Sequence, residues 1–239
     1  MNPLHERIRR LPQSVEFLIV VTWAFGLPIF NSILAIGGGG GGGAEGSGTV
    51  TRMQYGNSAL MATLIMELTQ SLFLIWFLKI RGWTLEKLGL QVTWRGTWMG
   101  STLLAVTILM LMAVMKLVDL ASPLDMKIAM ARYPVPAPDL NMQLVFIVST
   151  VNGIFEEVFV AGYVITALSQ ARGTWTAINV STGIRLLCHL YQGSLGVLAS
   201  VPMGLLFGYF YARTRMLWPL VFAHILMDII GLSYRSSGN

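Results

Sequence analysis

Residues 152–164 read NGIFEEVFVAGYV and place two adjacent carboxylates, Glu156 and Glu157, inside a run of apolar side chains. An ionised side chain at the centre of a membrane helix costs about 2.5 to 3.5 kcal/mol on insertion scales, so each one calls for a partner or a water-filled cavity. The surroundings make the cost real. Hydrophobic residues are 54% of the 239, charged residues only 11%, and mean hydropathy is +0.65, which lies outside the range of soluble domains. The chain reads as an all-α, polytopic membrane bundle, one membrane-embedded unit over 1–239. The first apolar stretch, Val15 to Ile36, is long enough to span and has no small-residue cleavage site, so it is expected to stay as an anchor.

At about 20 apolar residues per crossing, spans are expected near 15–36, 58–78, 97–116, 142–169, 174–190, 195–211 and 216–234, giving about seven helices, or eight. The basic residues test the alternation. Arg7, Arg9, Arg10, Lys79, Arg81, Lys87, Arg95, Arg172, Arg213 and Arg215 fall on the amino-terminal side, and Arg52, Lys116, Lys127, Arg132 and Arg235 fall opposite. That bias predicts a cytoplasmic N-terminus. It also explains the pI near 9.6 as membrane topology, with no nucleic-acid partner implied. Short loops point to a prokaryotic plasma membrane. The single cysteine, Cys188, excludes an internal disulfide. Residues 37–48 are glycine-rich and read as a linker, while the three prolines of RYPVPAPDL, 132–140, exclude a helix there and predict an extended lead into the carboxylate-bearing span.

The other intramembrane polar groups fall into pairs four residues apart, which share a helix face: Asn152 with Glu156, Arg185 with His189, and His224 with Asp228. At about 1.5 Å per residue, Glu156, His189, His224 and Asp228 lie roughly 12 to 22 Å from the inner ends of their helices and can meet at one level. Four such groups from three helices predict a site, where any one alone would read as buried structural polarity. Glu67 and Gln70 on the second span are read that way. Gly204 and Gly208 form a small-xxx-small face for close helix approach. Cys188 points about 100° away from His189, which argues against a Cys–His nucleophile pair, and no HExxH zinc motif occurs.

These motifs resemble the CPBP family (CAAX protease and bacteriocin-processing, or Abi) of intramembrane glutamic endopeptidases. EEVFVA from Glu156 stands for the family's EExxxR, RLLCH with the tail HLYQG for FxxxH, and HILMD from His224 to Asp228 for the final HxxxN or HxxxD. GLLFGYFYARTRMLWPLVFAH is also similar to the family's text between motifs. The resemblance covers about 142–232, the expected catalytic core helices, with a weaker echo in GWTLEKLGL at 82–90. Two positions depart from it: the motif arginine is Ala161, and the motif phenylalanine is Arg185. Arg185 is therefore expected to supply the missing cation to Glu157 from the next helix.

The resemblance implies peptide-bond hydrolysis of membrane-associated protein or peptide substrates, without metal or other cofactor. Glu156 and His189 are expected to hold and deprotonate a water. His224 is expected to donate to the developing oxyanion, with Asp228 assisting it, and Glu157, Arg185 and Asn152 in support. Three other readings stay open: a zinc-dependent membrane protease using the same Glu, His and Asp groups, a non-catalytic scaffold or immunity protein that kept the fold, and a transporter with a proton relay.

Overall fold

The computed structural model describes residues 3–37 and 54–236. Apart from Gly37, the glycine-rich 37–48 stretch lies outside the described residues. The elements run α1 (Pro3–Arg9), α2 (Gln13–Gly37), β1 (Gln54–Tyr55), α3 (Asn57–Ile80), α4 (Trp94–Ala121), α5 (Pro123–Arg132), β2 (Val135–Pro136), α6 (Met142–Glu156), a π-helical segment (Glu157–Tyr163), α7 (Val164–Arg172), α8 (Thr174–His189), a 3₁₀ turn (Leu190–Gln192), α9 (Gly193–Thr214) and α10 (Trp218–Ser236).

Among the described residues, five helical stretches are long and apolar enough to cross a membrane: Gln13–Ile36, Asn57–Ile80, Trp94–Ala121, Met142–Arg172 and Thr174–Thr214. A shorter apolar helix, Trp218–Ser233, follows. The 41-residue stretch resolves the difference from the expected seven. Straight, it would be about 60 Å long, twice the hydrocarbon core. It breaks instead at Leu190–Gln192, and Gly193 (φ 70°) turns the chain back. Gly204 then faces Thr182 and Gly208 faces Ile178, so α8 and α9 lie antiparallel as two crossings. With α10 as the last, the seven expected helical segments are all present.

Gly204 is what lets that hairpin close. A Cβ there would stand 2.9 Å from Thr182 Cγ2 and 3.2 Å from Thr182 Cα. Gly204→Ala is accordingly expected to destabilise the detergent-solubilised protein by about 1 to 3 kcal/mol, read as a lowered Tm. An unchanged Tm would mean that the α8–α9 contact is looser than this geometry.

The carboxylate-bearing stretch is central. In Met142–Arg172, 56% of the most apolar window is buried inside the protein, against 11% for α4, whose Leu109, Met112, Leu117 and Leu120 face outward where lipid tails would lie. α6 packs on α3 and α10, and α7 on α8. Two expectations need correction here. The 142–169 span is not one α-helix, because residues 157–163 take the wider π form. Two carbonyls of the segment accept from side chains on neighbouring helices: Ser181 Oγ donates to Val160 O (2.8 Å) and Tyr211 OH to Gly162 O (3.3 Å). The stretch between the expected 97–116 and 142–169 spans, where the sequence reading expects no helix, is also not all loop. α4 runs on to Ala121, and Pro123 starts α5, its fixed φ suiting the first turn of a helix.

The proline-rich lead is extended, as its composition requires. Val135 and Pro136 pair in parallel with Gln54 and Tyr55, and Asn141 then caps α6 by accepting from the Gln143 and Leu144 N–H groups (2.9 and 3.2 Å). At the other end of the bundle, buried Glu16 accepts from Arg81, from Trp83 Nε1 (2.8 Å) and from Tyr163 OH (3.0 Å). That network ties α2 and the loop after α3 to the π segment.

Candidate active site

Glu157 is the anchor. Its side chain is 0% exposed, and a single oxygen, Oε1, accepts from Arg185 Nη2 at 2.7 Å and from His224 Nδ1 at 2.6 Å. Three helical stretches are thereby tied at one atom: the π segment, α8 and α10. Arg185 is itself 2% exposed and extends Nη1 to Glu156 Oε2 at 3.1 Å, with its guanidinium 5.9 Å from the Phe207 ring centre. One cation therefore bridges both adjacent carboxylates, from the helix that follows them. Ala161, where the family motif has arginine, is buried in the apolar core.

Glu156 differs from its neighbour. At 15% exposure it reaches a cavity of about 400 Å³, whose wall also includes Asn152, Arg185, His189, His224 and Asp228. His189 Nδ1 lies 2.8 Å from the Arg185 carbonyl oxygen. A carbonyl only accepts, so Nδ1 carries the proton, and in the neutral ring Nε2 is left as the lone-pair atom. His224 has its Nδ1 on Glu157, so its Nε2 is the remaining atom, 3.7 Å from Asp228 Oδ1. Asn152 Nδ2 donates to Asp228 Oδ2 at 2.7 Å, which fixes that carboxyl. Every residue expected at the site thus stands in this one cluster, with Glu157 behind the wall.

Glu67 and Gln70 are buried on α3, and Gln70 Nε2 donates to Trp23 O at 2.9 Å, which joins α3 to α2. Among the described residues, no group of three or more His, Cys, Asp or Glu side chains is arranged to hold a metal ion. The sequence reading missed the polar rim of the cavity: Tyr55, Tyr133, Tyr191 and Gln192. Tyrosines near the ends of membrane helices are ordinary in any bundle. The usable signal was positional, since Tyr191 and Gln192 sit inside the quoted HLYQG and Tyr133 opens the proline-rich lead.

Residues 138–230 match the family described as type II CAAX prenyl endopeptidase, Rce1-like. The chain is Rce1-like over this region. The match bears out the CPBP resemblance and spans all seven clustered residues, from Asn152 to Asp228. No curated protein and no solved structure matches the chain. The region similar to that protease family contains α6, the π segment and α7 to α9 whole, with most of α10.

Proposed function

We propose that this protein is an intramembrane endopeptidase of glutamic type, cutting membrane-associated protein or peptide substrates with a water activated by Glu156 and His189. The observation that carries this is the convergence of Glu156, His189, His224 and Asp228 on one cavity of about 400 Å³ within the bundle. Amide hydrolysis needs a base for the water and a donor for the oxyanion. Glu156 takes the water's proton while His189 Nε2 accepts its second hydrogen bond, and the proton passes on to the leaving amine.

His224 Nε2 donates to the oxyanion when the ring carries both protons, its Nδ1–H resting on Glu157. Asp228, held by Asn152, orients that ring. Glu157 and Arg185 are positioning residues: they hold Glu156 and His224 in place. An arginine missing at 161, taken alone, favours the non-catalytic reading. Arg185 delivers a guanidinium to both carboxylates, which supports the catalytic one. The bias of basic residues and the short loops support a prokaryotic plasma membrane with a cytoplasmic N-terminus.

The test is reconstitution into phosphatidylcholine–phosphatidylglycerol vesicles with a farnesylated peptide ending in a CAAX sequence, and mass spectrometry of the products. Internal cleavage that survives exhaustive chelation is the expected result. Activity lost on chelation and restored by zinc would replace the glutamic reading with the zinc one. An intact peptide, together with intact prenyl-free membrane-anchored peptides, would sink the protease reading.

A further inference from the structure

Gln192 is the hub of the rim missed in the sequence. Its Nε2 donates to Tyr191 OH at 3.1 Å, and Tyr133 OH donates to its Oε1 at 3.5 Å. Tyr191 meets Tyr55 edge to face, with ring centres 6.4 Å apart, and lies 6.5 Å from the His189 ring. Gln192 thereby links the 3₁₀ turn after His189 to the proline-rich lead, and all these residues line the cavity. Gly196 leaves the room for it: a Cβ there would collide with Gln192 Cβ and stand 2.8 Å from the His189 carbonyl.

We propose that Gln192 seats the backbone of an extended substrate, pairing its side-chain amide with one peptide group displaced from the scissile bond. This rests on the protease reading above. A primary amide offers both a donor and an acceptor, as a peptide group does, and so can meet one in both senses. The Tyr133 contact, at 3.5 Å, is at the edge of hydrogen-bonding range and is the one a substrate displaces. Spacing fixes the register. Three residues of 3₁₀ helix rise about 6 Å, and an extended chain covers that in about two residues. The peptide group on Gln192 is therefore about two residues from the bond at His189.

The experiment uses the full chain in vesicles and a fluorescence-quenched farnesylated CAAX peptide, with versions N-methylated at one peptide bond at a time. Gln192→Ala and Gln192→Met, the second keeping the side chain's length without its amide, are compared with wild type. Each variant is expected to raise KM about fivefold to tenfold, the worth of one hydrogen bond, with kcat within about twofold, the signature of lost uniform binding. The penalty should shrink for the peptide N-methylated at one particular non-scissile bond and for no other, because that peptide lacks the N–H that pairs with Gln192 Oε1.

An equal penalty on every peptide, or none, overturns the proposal and leaves the protease reading standing. If wild-type protein binds the peptide without cutting it, the same comparison made on fluorescence anisotropy decides the seat alone. Wild-type protein that neither cuts nor binds it overturns both.

Discussion

Glutamine at position 156 is expected to lower kcat by about 10² to 10⁴, the usual worth of a positioned general base, while leaving the protein folded. The amide oxygen can still accept from Arg185 Nη1, which stands 3.1 Å from the present carboxylate. It cannot take a proton from water. His189→Ala is expected to fall in the same range, because the Arg185 carbonyl fixes its ring with Nε2 as the acceptor. His224→Ala should lose about 10² to 10³, the worth of one oxyanion donor. Initial rates on the farnesylated peptide in vesicles, with circular dichroism and size exclusion as folding controls, are the measurement. Cleavage at wild-type rate in all three variants would remove the assignment.

Arg185→Ala is expected to cost stability as well as activity. The guanidinium is 2% exposed and serves both carboxylates, so its loss leaves Glu157 fully buried with His224 as its remaining partner. Breaking a buried pair from one side commonly costs about 3 to 5 kcal/mol. Thermal unfolding in detergent and the peptide assay should both register it. Adding Ala161→Arg in that background is expected to restore part of the loss, since position 161 is about one turn from Glu157 and the space of the old guanidinium is vacated. A silent Arg185→Ala, or an arginine at 161 that restores nothing, would mean that the two motif departures are unrelated.

The carboxylates and histidines could be found in the sequence because an ionisable group in an apolar run has few innocent explanations, and a spacing of four gives it a face. Arg185 was legible for the same reason, once Ala161 left Glu157 without a cation on its own helix. The anchoring part of Glu157 was not: adjacency to Glu156 says nothing about which carboxylate faces water and which accepts two buried donors at one oxygen. α5 carried its start signal in plain view, with Ser122 before Pro123 and Asp125 in the first turn, and Ser122 Oγ donates to Asp125 Oδ2 at 2.5 Å. Its charges disguised it as loop. The cavity rim was invisible because its parts, Tyr55, Tyr133 and Gln192, are far apart in the chain and become neighbours only through the β1–β2 pairing and the break after α8.

The π segment has a consequence for chain length. Its i→i+5 bonding accommodates one residue more than an α-helix would over the same turns, so the stretch 157–163 is defined by how many residues it holds as much as by which ones. Removing one residue between Glu157 and Tyr163 would let the backbone relax to ordinary α-helix and leave Glu156 and Glu157 in place at its start. Because the turns completed are then nearly the same, the residues after the segment would keep their rotational phase, including Thr166, which shares a hydrogen bond of 2.9 Å with Tyr211, while the carbonyls of the segment itself, Val160 O and Gly162 O, would be re-aimed away from Ser181 and Tyr211. Length is thus a variable here that no single substitution tests: the two ends of one helix keep their rotational phase with or without the surplus residue, and what that residue sets is the local shape of the backbone beside the candidate catalytic pair.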